Sequence, residues 1–281
     1  EKFDDGSSLF GHIAKQSIPS LHKFKPQELS GMIGAFERAK VSHPSLFAKV
    51  ASHFVSLDNL GAFNPQALSN VVRSYAKIAG EESHHYTALF GKIGNHIHSL
   101  EYLGEFTPQN LSNIAWAFAK ADVSHPSLFH TVANHIVSHH YDLRTFKPQE
   151  LSILMWAFAK VWIFPPRLFE KVAIHIESHY RDLRAFTPQA LSNITLAYAK
   201  AYAATIDIDH PRLFDRVAEH ILSLDDGLQD FGEQEISNIG GAFSKADAID
   251  SRLFDKLSAV AIDRQDEFSS HDIAKLLRWK K

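Results

Sequence analysis

The chain has no cysteine among its 281 residues. That excludes disulfides and thiolate metal sites. No apolar run is long enough to span a bilayer, so membrane insertion is not expected. There is no glycine-rich phosphate loop, no His-Glu-x-x-His pair and no nucleophile elbow. The expectation is a protein without catalysis, cofactor or small-molecule substrate. A strong excess of positive charge is missing too: 29 Lys and Arg face 32 Asp and Glu, a net charge of −3. That speaks against a uniformly basic nucleic-acid binder. The chain opens on Glu1 rather than Met, so its natural N-terminus, with any targeting peptide, is expected to lie upstream.

What the chain does have is repetition. The fullest copy runs from Phe106 to Lys120 as FTPQNLSNIAWAFAK. Related copies start at Phe24, Phe63, Phe146 and Phe186, a worn one at Phe231 and a remnant at Phe268. A period near 40 residues is the mark of a stacked helical repeat. The expected fold is therefore all-α, an α-solenoid of about six helix-turn-helix repeats in one array over residues 1–281. A half repeat is expected at each end, over 1–23 and 268–281. Either the array is a segment of a longer one or partners cap its ends.

Each repeat has two halves. The first, helix A, begins x-Pro-Gln-x-Leu-Ser-Asn and ends on a basic residue. Pro108 follows Thr107 and Pro188 follows Thr187, which places threonine at the N-cap and proline in the first turn. The second, helix B, reads His-Pro-x-Leu-Phe-x-x-Val-Ala-x-His-Ile, as at His125 to Ile136. Leu128, Phe129, Val132, Ala133 and Ile136 have the spacing of an amphipathic helix. Insertions between A and B within 78–86 and 202–209 are expected to swell one edge of the stack.

Helix A sorts into faces when numbered from its proline. Positions 4, 7 and 11 are apolar throughout, as in Leu111, Ile114 and Phe118, and form the core stripe. Positions 5 and 12 are mostly small and suit close approach of neighbouring A helices. Positions 2, 6, 9 and 13 share a further face. Position 2 is always Gln. Position 6 includes Asn70, Asn113 and Asn193. Position 9 includes Arg73, Trp116 and Trp156. Position 13 is Arg38, Lys77, Lys120, Lys160, Lys200 and Lys245, basic in all six repeats.

The basic row has two readings. It can follow the phosphates of a single strand, or each cation can simply favour the negative end of its helix. The amides also have two. They can meet base edges beside stacking Trp or Arg, or they can form an Asn/Gln ladder tying repeats together. Positions 3 and 9 vary between repeats, as base-reading positions would and as any unconstrained surface does. Charge divides the chain as well. Residues 1–200 carry a mild positive excess, 201–267 are strongly acidic, and Lys275, Arg278, Lys280 and Lys281 make the tail basic.

The 18 histidines include the i, i+4 pairs His135/His139 and His175/His179. The first member recurs as His53, His96 and His220 at one place in the repeat. Recurrence fits packing or a helix C-terminus better than a metal site, and no metal is expected.

The phrase PQNLSNIAWAFAK, with PQELSILMWAFAK and PQALSNITLAYAK, resembles the octotricopeptide repeat and, more closely, its heptatricopeptide-like variants. The resemblance covers about residues 7–281. It implies a right-handed solenoid of helical pairs that binds RNA, messenger or ribosomal, in an organellar matrix or stroma, mitochondrial or plastid. Such proteins often carry a C-terminal RAP domain, and none is found here. With the residue pattern, it makes Arg38, Asn70, Arg73, Lys77, Asn113, Trp116, Lys120, Trp156, Lys160, Asn193 and Lys200 the candidate RNA-binding set. A protein-binding scaffold, or an accessory subunit of a large organellar complex, is the alternative.

Overall fold

Proline opens nine of the helices, where its missing N–H has no partner to lose. The structure, a computed structural model, describes residues 5–78, 85–139, 143–180, 183–204, 208, 210–225 and 228–279. In order the helices are α1 (Asp5–Ser17), α2 (Pro26–Arg38), α3 (Pro44–Ser56), α4 (Pro65–Ile78), α5 (Thr87–Ser99), α6 (Pro108–Lys120) and α7 (Pro126–His139). Then come α8 (Pro148–Lys160), α9 (Pro166–His179), α10 (Pro188–Ala204), α11 (Pro211–Leu222), α12 (Glu233–Lys245), α13 (Ser251–Asp263) and α14 (Ser270–Trp279). Short 3-10 turns lie at Ile18–Lys23 and Leu143–Thr145. No strand occurs among the described residues. The even-numbered helices are helices A and the odd-numbered ones helices B, with α1 and α14 as the two half repeats.

Local chemistry starts these helices. Thr107 Oγ1 accepts the Asn110 N–H at 3.2 Å and Thr187 Oγ1 that of Ala190 at 3.2 Å. Asn64 caps α4 the same way, from Ala67 at 2.8 Å. Where the preceding residue is Lys, which has no acceptor, the third helical residue caps instead. Glu28 accepts the Lys25 N–H and Glu150 that of Lys147, each at 2.8 Å. Helices α3 and α7 use the histidine before their proline. Nδ1 of His43 accepts from Leu46, and Nδ1 of His125 from Leu128.

The chain divides into two compact units, Glu1–His135 and Ile136–Lys281, with the division inside α7. Each is an α-solenoid stack. In the first, α4 packs between α2 and α6, and α3 against α5; in the second, α10 packs between α8 and α12, and α11 between α9 and α13. Like helices thus form layers.

The expected core stripe is buried, as Leu111, Ile114 and Phe118 show. Position 8 joins it through Ile33, Val72, Ala115 and Met155, because neighbouring helices A and helices B together cover more than one stripe of each helix A. Met32, at position 7, stays half-exposed; α2 meets a helix A on one side only. The small residues at positions 5 and 12, Ser69, Ser112, Ala76 and Ala119 among them, are buried where helices A meet. Aromatic rings link the layers edge to face: Phe47 to Tyr75 at 5.3 Å, Phe90 to Phe118 at 5.0 Å, Phe169 to Tyr198 at 5.2 Å and Phe214 to Phe243 at 5.1 Å. Tyr75 and Tyr198 also donate their hydroxyls to the Phe47 and Phe169 carbonyls, at 2.8 and 2.7 Å. The first half repeat obeys the same rule, Phe10 standing edge-on to Phe36 at 4.8 Å.

The insertion in repeat five lengthens α10 to 17 residues. The rest of that insertion (205–207 and 209), most of the repeat-two insertion (79–84) and the terminal Lys280 and Lys281 lie outside the described residues.

The histidine cap makes stability depend on pH. His125 Nδ1 accepts from Leu128, so its proton sits on Nε2, which donates to Asn95 Oδ1 at 3.1 Å. Burial first, then His98 nearby, holds the His125 pKa below its ordinary value; burial also lowers His53 and His96. A depressed folded pKa means the unfolded chain binds more protons. The contribution is therefore present above the unfolded value of about 6.5 and is lost as pH falls below it. Thermal unfolding midpoints are expected to drop between about pH 7.5 and 5.5. His125→Asn keeps a cap acceptor without the titration and is expected to flatten part of the drop. An equally steep profile in that variant would assign the effect elsewhere.

Candidate nucleic-acid interface

The face formed by positions 2, 6, 9 and 13 is open to solvent in both units. Gln27, Gln66, Gln109, Gln149, Gln189 and Gln234 are exposed, and among the described residues none of their side chains makes a hydrogen bond. The expected Asn/Gln ladder therefore does not form through position 2. Helices A are tied instead by Ser69, whose Oγ accepts from Asn110 Nδ2 at 3.2 Å. Position 3 also changes meaning. Glu28, Asn110, Glu150 and Glu235 each accept the N-cap N–H of their own helix. Repeats two and five, with Ala67 and Ala190 there, are capped from Asn64 and Thr187. Where position 3 is Glu or Asn it closes its own helix start, which gives the variation a source other than base reading.

In the N-terminal unit, α4 and α6 frame a polar groove of about 640 Å³. Gln66, Asn70 and Arg73 line one side, Gln109 and Asn113 the other. These are the position 2, 6 and 9 side chains of repeat two and the position 2 and 6 side chains of repeat three. Trp116 is half-buried one turn beyond Asn113, and Lys120 is exposed at the helix end. The cations of the first two repeats are less free than their spacing suggests. Glu37, from α2, meets Lys77 Nζ at 2.8 Å and Arg73 Nη1 at 3.6 Å. Arg38 is folded back over Gly34, its Nη1 3.0 Å from where a Cβ would stand. Lys120 has no ion pair among the described residues.

In the C-terminal unit, Leu196, Asn238, Gly241 and Lys275 line a smaller groove of about 340 Å³. Asn193, Trp156 and Lys200 are half-buried, and Lys160 and Lys245 exposed. The cations here are not evenly spaced. Lys200 and Lys245 stand 5.9 and 6.0 Å from the ring centroid of Trp162. Burial, then the charges of Lys245 and Lys160, hold the Lys200 pKa below its ordinary value. Two ammonium groups thus crowd one indole, with the charge of Lys160 felt by Lys200. The repeat numbering missed Trp162 because it lies in the A–B turn, two residues past helix A. The available signal was its slot: the matching residues are Lys40, Ala79, Asp122, Tyr202 and Asp247, and only repeat five also has an aromatic there.

Helices B hold part of the charge away from helices A. Lys92 donates to the Leu57 carbonyl, Lys171 to Val137 at 3.1 Å, Arg216 to Glu177 at 3.0 Å and Lys256 to Leu222 at 3.4 Å. Each recurs two residues after the helix-B phenylalanine and satisfies the open C-terminal carbonyls of the preceding helix B. Those cations serve the stack. The exposed acids Asp215, Glu219, Asp255 and Asp263 also lie on helices B, on α11 and α13. These four of the fifteen acids of 201–267 are therefore off helices A, whereas Glu233 and Glu235 stand on α12.

The recurring histidines pack, as their repetition suggested. His135, His175 and His220 are buried, and His175 stacks on His179 at 4.5 Å. The side chain of His139 lies outside the described residues. Among the described residues no group of three or more His, Asp or Glu could hold a metal ion. No helix among them is long and apolar enough to cross a membrane.

A family profile, RESC6: RNA-editing substrate-binding complex 6 protein, matches residues 2–278. It indicates an RNA-associated helical family, without pointing specifically to the octotricopeptide or heptatricopeptide repeat. No curated protein matches the chain.

Proposed function

Since the chain belongs to the RNA-editing substrate-binding complex 6 family, we propose that it is a non-catalytic component of an RNA-editing complex that binds single-stranded or structured RNA along its helix-A face. The observation that carries this reading is the open face itself. Among the described residues six exposed Gln side chains make no hydrogen bond, half-buried Asn70, Asn113 and Asn193 stand beside them, and a cation occupies position 13 of each repeat. Amides and ammonium groups on an open face suit base edges and phosphates. Trp116 and Trp156 offer partly open rings for stacking.

One array running through both units is part of this proposal. So is location: of the two organelles the repeat pattern suggests, an RNA-editing complex favours the mitochondrion. Complex membership in the family description also supports contacts with other protein subunits. The exposed Ile174 and Ile262 on helices B are the side chains suited to them.

The direct test is anisotropy of labelled single-stranded RNA against the purified chain over a range of salt. Micromolar or tighter binding that weakens steeply with salt is expected; no binding at about 50 mM salt would refute the reading. Co-purification separates the two roles. Nuclease-sensitive RNA in the preparation speaks for RNA binding, and a nuclease-resistant assembly for scaffolding.

The ion pairs give a finer prediction. Glu37→Gln releases Arg73 and Lys77 and is expected to raise RNA affinity about threefold to tenfold, with a steeper salt slope. These pairs are partly exposed, so the stability cost is expected to stay within about 1 kcal/mol. Unchanged affinity would mean that RNA does not reach this part of the face.

A further inference from the structure

Trp162 is the most exposed large apolar side chain among the described residues, at 62%. It is also held in the left-handed backbone region, at φ 58°. The residues that close the same turn in other repeats, Lys40, Asp122 and Asp247, share that conformation, at 55°, 55° and 54°. In all four the next N–H reaches the position-11 carbonyl, as from Ile163 to Phe158 at 3.1 Å. The turn needs a left-handed residue, which Gly or Asn supplies with least strain. A tryptophan there brings strain and an exposed ring, and neither helps the turn. Strain at an exposed side chain is a mark of a functional position.

The surroundings say what the ring would meet. Phe164 stands edge-on to it at 5.9 Å and steadies its plane. Lys200 and Lys245 lie at the outer limit of a cation–π contact, 5.9 and 6.0 Å away, so the exposed part of the indole remains uncovered. Lys160 ends α8 two residues earlier. A flat open aromatic flanked by two ammonium groups, with Lys160 close to it in the chain, matches a nucleotide: a π-face for the base, cations for the phosphates either side. An acidic peptide would use the cations and leave the ring unexplained.

We propose that Trp162, with Lys160, Lys200 and Lys245, forms a stacking subsite for one unpaired base of single-stranded RNA. This rests on the reading of the helix-A face as an RNA surface and extends it to the A–B turn edge of the C-terminal unit. The base stacks on Trp162, and the three lysines hold the adjoining phosphates. Because every base has a π-face, the subsite supplies affinity and register without strong sequence preference.

The test measures affinity of the whole chain for oligouridylate and oligoadenylate, with inorganic polyphosphate as a ligand that has phosphates and no bases. Trp162→Asn suits the left-handed turn, so the fold is retained. It is expected to weaken RNA binding about tenfold, with the salt slope unchanged and polyphosphate binding intact. Trp162→Phe restores most of the affinity. Lys200→Gln with Lys245→Gln lowers the salt slope by roughly 1.4. If Trp162→Asn binds RNA like the wild type while Lys120→Glu weakens it, the subsite is wrong and the helix-A reading stands. If the wild type binds no RNA, both fall. If an acidic peptide binds in a Trp162-dependent way and RNA does not, the cluster is a protein contact and the proposal is overturned.

Discussion

Replacing Lys120, Lys160 and Lys200 together with glutamate is expected to lower affinity for single-stranded RNA by roughly 100-fold at near-physiological salt, and to reduce the salt slope by about 2. These three are chosen because the structure leaves them available. Lys120 and Lys160 are exposed, and Lys200 is crowded by like charges whose repulsion a phosphate would relieve. Lys77 occupies the same repeat position yet already meets Glu37 at 2.8 Å, so Lys77→Glu alone is expected to do less. The alternative account, in which each cation only complements its own helix end, predicts something different. Each reversal would then cost about 0.3–1 kcal/mol of stability and leave RNA binding untouched. Measuring both quantities on one set of variants separates the accounts. An unchanged salt slope in a folded triple variant would remove the basic row from the interface.

The second large effect lies in the core. Phe118→Ala is expected to cost about 3–5 kcal/mol. Phe118 is fully buried; Phe90 and His125 stand edge-on to it at 5.0 and 5.9 Å. Removing its ring would leave a cavity between α5, α6 and α7 and unseat the histidine that caps α7. In a stack where each repeat leans on its neighbours, that damage is local before it is global. Hydrogen exchange is therefore expected to lose protection first in α5 to α7, with the urea midpoint falling later. The control is Leu277→Ala on an exposed side chain, expected to stay within about 0.5 kcal/mol. Equal shifts for the two would mean that the aromatic ladder does not hold the repeats together.

Most of the architecture was legible because its signals are local. The repeat length, the proline that opens a helix, the threonine before it and the apolar stripe all act within one or two turns. They appear in the structure as α6 and α10 with their caps and their buried Leu, Ile and Phe. The interface was legible only in outline. Position 3 looked variable and free until its carboxylates and amide were found closing their own helices. Position 2 looked like a ladder until its glutamines proved to point at solvent. In both cases a side chain's partner decided its meaning, and partners are not written in spacing.

Charge makes the same division. The chain itself determined how many cations it has, that one recurs at position 13 of all six repeats, and that 201–267 is acidic. Tertiary packing decided which of them remain available to a ligand. Glu37 reaches across from α2 to hold Arg73 and Lys77, helix-B lysines and arginines turn into the carbonyl ends of their neighbours, and the acids of α11 and α13 fall on helices B. Trp162 is the sharpest instance. In the sequence it is one aromatic past the end of a repeat phrase. Only the left-handed turn that places it in solvent, and the packing of α10 and α12 that brings Lys200 and Lys245 beside it, make it a candidate site. Coulomb and stacking energies depend on distance through space, and lysines 45 residues apart in the chain become neighbours only when their helices stack.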